Sequence, residues 1–220
     1  GEGSPCAYDM EPGKRLLDGM RGRINESVLK AMARVPRDRF VPAQLRDRAY
    51  EDLPLPIGFG QTISAPHMVA IMCDLLDVRP GMKILEVGGG SGYHAAVLAA
   101  LAGPEGQVFS VERMPDLALA ARKNLQAAGI AGVTVVEGDG SLGLPEHAPY
   151  DRISVAASAP RVPEPLKEQL RVGGKLILPV GETSQELVLV TRKNGFAVEE
   201  KMGVIFVPLI GKEGFGERQI

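Results

Sequence analysis

A strand that runs directly into four glycines and out again into a helix leaves few folds open. The stretch is Ile84-Leu85-Glu86-Val87-Gly88-Gly89-Gly90-Ser91-Gly92-Tyr93. Met82–Val87 is an apolar strand, and the Ala/Leu-rich Tyr93–Leu101 reads as a helix. Glycines at such a junction let a ligand approach the backbone, and a helix N-terminus offers unpaired N–H groups. In open α/β sheets ligands sit at the carboxyl ends of strands, which is where this loop falls. Three loop chemistries fail in turn. A dinucleotide fingerprint needs a third glycine where Tyr93 stands, and a nucleophile elbow around Ser91 needs one at the same place. A phosphate loop needs a closing Gly-Lys-Ser/Thr, which is absent. What remains is Gly-x-Gly-x-Gly with an acid, Glu86, two residues ahead; a tight packing turn is the plainer alternative.

The pattern around the loop is α/β. Val108–Val111, Val133–Val136, Ile153–Ala156 and Lys175–Leu178 read as further strands. A helix begins at Pro115 and runs to about Ala128, ending at Gly129. Another covers Pro163–Leu170, with Gly173-Gly174 as its stop. This order implies a doubly wound, mostly parallel sheet with helices on both faces. Leu187–Thr191 and Phe196–Val207, joined through Asn194-Gly195, predict a closing antiparallel hairpin. Residues 10–50 read as an N-terminal helical addition, with Ile24, Val28, Leu29 and Met32 at helical spacing.

Two acids fall in register with the glycine loop. Glu112 ends the second strand, 24 positions after Gly88, where a carboxylate can accept from both hydroxyls of a ribose. Asp139, in Gly138-Asp139-Gly140 after the third strand, can accept from an adenine amino group; a plain turn is its other reading. Ahead of the sheet, Gly60–Met68 leads into an amphipathic helix, with Ser64 placed as a cap and Pro66 in the first turn.

Bulk properties exclude little. The formal charge of -2 gives no general attraction to nucleic acid or membrane. Ten basic residues against four acids between Lys14 and Arg48 could face RNA, but a solvated helical face explains them better. Cys6 and Cys73 form no CxxC pair and read as incidental and core thiols of a reducing compartment. With no apolar run of transmembrane length and no signal-like start, a cytoplasmic location is expected. His67, His94 and His147 form no metal-ligand cluster, so no metal is expected.

The Glu86–Gly92 form resembles the first motif of class I methyltransferases. More specifically, GQTISAPHM at 60–68, ILEVGGGSGYHAA at 84–96, GDG at 138–140, APYDRISVAASAP at 148–160, LRVGGKLILPVG at 170–181 and GVIFVPLIG at 203–211 resemble the protein-L-isoaspartate (D-aspartate) O-methyltransferases. The resemblance spans about residues 50–211. It implies a Rossmann-like single domain over 1–220. Within it, 10–50 is the helical addition, 51–80 the active-site loop and helix, and 81–211 the cofactor-binding core with its hairpin.

It also implies methyl transfer from S-adenosyl-L-methionine, leaving S-adenosyl-L-homocysteine. The acceptor would be the free carboxylate of L-isoaspartyl residues in damaged proteins and peptides, with D-aspartyl residues a further class. The resemblance gives Ser64 the catalytic role. It assigns the cofactor to Gln61, Thr62, Ile63, His67, Glu86, Gly88, Gly89, Gly90, Gly92, Glu112, Asp139 and Gly140. It assigns the substrate peptide to Thr62, Ile63, Ser64, Val204, Phe206 and Val207. One departure is Gly89, where the family usually has Thr or Ser and hence a hydroxyl near the methionine end of the cofactor. A monomer without nucleic-acid or membrane partners is expected. Two rivals remain: an RNA methyltransferase, which lacks its Asn/Asp-Pro-Pro-Tyr motif where Ser158-Ala159-Pro160 stands, and a non-catalytic binding module.

Overall fold

The computed structural model describes residues 11–217, so the reading of Cys6 lies outside the described residues. In chain order the elements are α1 (Pro12–Asp18) and α2 (Glu26–Ala33), then 3-10 turns at Arg37–Phe40 and Ala43–Arg48. Next come β1 (Leu55–Gly58), β2 (Gln61–Ile63), α3 (Pro66–Leu76), β3 (Lys83–Val87) and α4 (Tyr93–Ala102). After these follow β4 (Gln107–Glu112), α5 (Pro115–Ala127), β5 (Val133–Glu137), β6 (Tyr150–Val155) and α6 (Glu164–Glu168). The chain closes with β7 (Leu170–Val180), β8 (Gln185–Arg192) and β9 (Phe196–Val204).

Seven strands form one sheet in the order β5-β4-β3-β6-β7-β8-β9. The β5-to-β7 portion is parallel, and β7-β8-β9 is antiparallel, as the hairpin signal implied. Side chains alternate across the sheet. Ile84, Val108 and Ile177 therefore join the core under α2–α5, while Leu85, Val87, Phe109, Val111, Ile153 and Leu176 join the core on the opposite face with Leu166 of α6. Central parallel strands are buried on both faces and normally apolar. This sheet breaks that pattern at one row: Glu86 lies between Ser110 and Ser154 in register, and all three are buried.

Three local expectations are corrected. Gly173-Gly174 do not stop a helix; α6 ends at Glu168 and both glycines lie within β7. Gly173 takes φ +86°, and the β6–β7 register shifts beside it, so the pair serves an irregular strand. Phe196–Val207 is not one strand, because β9 ends at Val204. Finally, Ser64 does not cap α3. The N-cap is Ala65, without a side-chain bond, and Asp52 Oδ1 instead accepts from His67 N at 3.0 Å.

At least half of the basic run in the N-terminal region is committed to the chain itself. Arg21 pairs with Asp18 and Glu26, and Arg48 with Glu51. Arg23 and Arg34 donate to the carbonyls of Gly19 and Ala100. Arg37 is 1% exposed, and its Nε and Nη2 donate to Ala49 O (2.7 Å) and Ser64 O (2.9 Å).

Candidate active site

The tips of β3, β4 and β6 bring the glycine loop, Glu112 and Ala156-Ala157 to one cleft. Gly88 and Gly90 take φ +83° and +52°, a region that admits glycine without strain. Gly88 N and Gly89 N both donate to Val111 O, and Gly90 N donates to Glu112 Oε1 at 2.9 Å. The loop is thus tied to β4 before any ligand arrives. Glu112 is tied as well, since its Oε2 accepts from Met114 N at 2.7 Å. A carboxylate has about four lone-pair sites, so about two remain for a ligand. Glu112 is 6% exposed and lines both halves of the cleft.

The cleft runs in two directions from Glu112. One end is lined by Arg113, Met114, Gly140, Leu209 and Ile210. The other is lined by Gln61–Ser64, Gly88–Ser91, Tyr93 and His94. Gly140 is required at its wall, because a Cβ there would collide with Val87. A groove opens next to the second end, lined by Pro54, His67, Met68, Ile205 and Phe206. Thr62, Ser64, Ala156 and Val207 line both that cavity and the groove. Because Asp52 caps α3, the Ser64 hydroxyl is not consumed as a cap, and no hydrogen bond from it occurs among the described residues.

Several assigned residues take other positions. His67 lines the groove and not the glycine-loop cavity; its Nδ1 donates to Asp52 Oδ1 at 2.9 Å. Val204 lines neither space, whereas its neighbours Ile205, Phe206 and Val207 line the groove. Gly92 stands behind the loop as the N-cap of α4. Asp139 has both oxygens engaged: Oδ1 accepts from Ser141 N and Oγ, and Oδ2 accepts from Lys212 N at 2.8 Å. It fastens residues 209–213 across the cleft, where Leu209 and Ile210 form a wall. Sequence reasoning gives no role to Ile210, Ala156-Ala157 or Asp52, and gives Leu209 to the substrate segment Val204–Leu209 rather than to this wall.

Glu86 lies fully buried beneath the loop rather than in the cleft wall. Ser110 Oγ donates to its Oε1 at 2.6 Å, and Oε2 has no hydrogen-bond partner among the described residues. Burial, with Glu112 adding to it, pushes Glu86 up to about 8, although the Ser110 hydroxyl favours the ionised form. A Cβ on Gly89 would collide with Ser110 Oγ, so in this chain the Ser110 hydroxyl fills the space beside Gly89.

These features fit an S-adenosyl ligand. Glu112 offers acceptors for two hydroxyls, the glycines leave room against the backbone, and a buried acid with an unpartnered oxygen lies below the loop.

Comparison with known proteins agrees. The family model described as protein-L-isoaspartate(D-aspartate) O-methyltransferase matches residues 14–214. A protein-L-isoaspartate O-methyltransferase of Methanothrix thermoacetophila is 64% identical, covering 92% of this chain and 96% of its own. A solved protein-L-isoaspartate O-methyltransferase superposes with TM-score 0.85 at 31% identity, covering 92% of this chain and 67% of its own. A Plasmodium falciparum structure, a candidate protein-L-isoaspartate O-methyltransferase in complex with S-adenosyl-L-homocysteine, gives 0.82 at 30% identity, covering 91% of this chain and 99% of its own.

Proposed function

This chain belongs to the protein-L-isoaspartate(D-aspartate) O-methyltransferase family, and from that premise we infer the reaction and the part each residue plays. The chain is an S-adenosylmethionine-dependent enzyme that methylates the free carboxylate of L-isoaspartyl residues in damaged proteins and peptides, initiating their repair. Bound in the cleft, the cofactor supplies a methyl group on a cationic sulfur.

The chain's own task is alignment. The acceptor carboxylate is already ionised at neutral pH and needs no general base. Charge diminishes as anion meets cation, so a site that excludes water favours the reaction. We assign the ribose hydroxyls to Glu112, and the two ends of the cofactor to the two ends of the cleft. Ser64 donates a hydrogen bond that orients the acceptor carboxylate at near-attack distance. The groove along Ile205–Val207 takes the substrate peptide, with His67 at its rim. The observation that carries this reading is the Ser64 hydroxyl, unspent and at the one junction shared by cavity and groove.

The test is methyl incorporation into an isoaspartyl peptide and its normal aspartyl twin, for wild type and Ser64→Ala. Only the isoaspartyl peptide should be labelled. Ser64→Ala should lose roughly tenfold to a hundredfold in turnover, the scale of a hydrogen bond to a charged group, while binding S-adenosylhomocysteine normally. An unchanged rate removes Ser64 from the mechanism. We further propose a cytoplasmic monomer without a nucleic-acid partner, checked by sedimentation and by a parallel assay on tRNA. Among the described residues no helix is long and apolar enough to cross a membrane.

A further inference from the structure

His94 has no part in the roles above, yet it is 7% exposed and lines the cleft end that holds Ser64 and Gly88–Ser91. It stands over the polar row of the sheet. Its Nε2 lies 3.6 Å from Cys73 Sγ and 3.4 Å from Ser154 Oγ. Both neighbours are buried groups that carry a proton, and neither has another hydrogen-bond acceptor among the described residues. Burial pushes the Cys73 thiol well above its usual range, which keeps that proton in place. Either proton can be donated to a lone pair on Nε2, and with that tautomer the ring proton sits on Nδ1. Among the described residues Nδ1 has no hydrogen-bond partner, yet it is not sealed from solvent, and His94 lines the cavity. Burial also pulls the imidazole down to about 4, which leaves it a neutral donor at physiological pH.

The position of the ring says what it meets. Glu112 stands at the middle of the cleft and takes the ribose; Arg113, Gly140 and Leu209 enclose the adenine end. His94 lies at the opposite end, where the amino-acid part of the methyl donor must lie. We propose that His94 donates its Nδ1–H to the α-carboxylate of that amino-acid part, and so selects donors that carry it. The proposal rests on the methyl-donor reading given above.

Two isosteres separate the ring nitrogens. The amide nitrogen of Asn falls near Nδ1, and that of Gln falls near Nε2. Calorimetry would use S-adenosylhomocysteine and 5′-methylthioadenosine, which lacks the amino-acid end. His94→Asn should bind S-adenosylhomocysteine within about threefold of wild type, and His94→Gln about tenfold more weakly, the loss of one hydrogen bond to a charged group. Methylthioadenosine should bind all three proteins alike. Equal loss for both ligands, or a weak Asn variant beside an intact Gln variant, overturns the proposal in favour of a packing role. Failure of wild type to bind S-adenosylhomocysteine defeats the methyl-donor reading itself. Should the variants not fold, nitrogen NMR of the wild-type imidazole decides. A protonated Nδ1 that shifts with S-adenosylhomocysteine and not with methylthioadenosine supports the assignment, and an Nε2–H ring overturns it.

Discussion

The two sides of the active site are held in different ways. The cofactor side is built from neighbouring strand tips, and its bonds join adjacent elements: Gly88 N and Gly89 N to Val111 O, Gly90 N to Glu112, Gly138 N to Glu112 O. The acceptor side is built from segments outside the parallel strands, fastened by side chains that lie far away in sequence. Arg37 reaches across 27 positions to hold the Ser64 carbonyl, and Asp52 reaches across 15 to hold His67. Gln185 clamps Phe206 by accepting from its N–H at 2.7 Å and donating to its carbonyl at 3.1 Å. The difference implies that the first side is preformed by the fold itself, whereas the second depends on a few side chains and can be loosened alone.

Arg37 should give the largest effect. Its guanidinium is buried, lies 4.8 Å from the Tyr93 ring centroid, and serves two carbonyls. Arg37→Met leaves both carbonyls unsatisfied and should cost about 3 kcal/mol in urea unfolding. In the fraction that folds, KM for an isoaspartyl peptide should rise while S-adenosylhomocysteine affinity holds; a parallel loss of both would erase the distinction between the sides.

Glu112→Gln tests the other side. S-adenosylhomocysteine should bind about thirtyfold more weakly, about 2 kcal/mol, with peptide KM unchanged.

Glu86 sharpens the comparison through pH. Its carboxyl is raised from the usual 4.5 to about 8 by burial, so the folded chain holds this proton more tightly than the unfolded chain. The associated stability is complete below pH 4.5 and is lost as pH rises through about 8. The ligand-free protein should therefore weaken over that window by up to about 1.4 kcal/mol per pH unit. Glu86→Gln should flatten the slope in thermal unfolding between about pH 5 and about pH 8. A slope that survives the substitution assigns it to another group.

The smallest effect belongs to Asp52→Ala, which removes the cap of α3 and the restraint on His67. About 1 kcal/mol of stability should be lost, and peptide KM should rise severalfold with cofactor affinity intact.

The same division decided what could be read from the sequence. The glycine loop, the β-α-β order and Glu112 announce themselves through local spacing, because each acts within a few residues of its own strand tip. The caps and clamps do not. Nothing in the neighbourhood of Asp52 marks it as the cap of a helix that begins at Pro66, so the capping role fell to the nearer Ser64. Arg37 looks like one more member of a basic run until its carbonyl partners are known. Gly173-Gly174 mislead for the converse reason: glycine is a strong local signal, and here it serves an irregular strand pairing rather than a helix end. Asp139 reads from its register as a residue beside the cleft, and what its register does not reveal is that its oxygens also accept from Ser141 and from Lys212, a partner far along the chain.

Ser64, Thr62, Ala156 and Val207 line both the cavity proposed for the donor and the groove proposed for the acceptor. Two adjoining compartments can be occupied together, so neither substrate has to leave before the other enters. Turnover in such a layout proceeds through a ternary complex, with intersecting rather than parallel double-reciprocal plots. On that assignment, what passes from one compartment to the other is a single carbon.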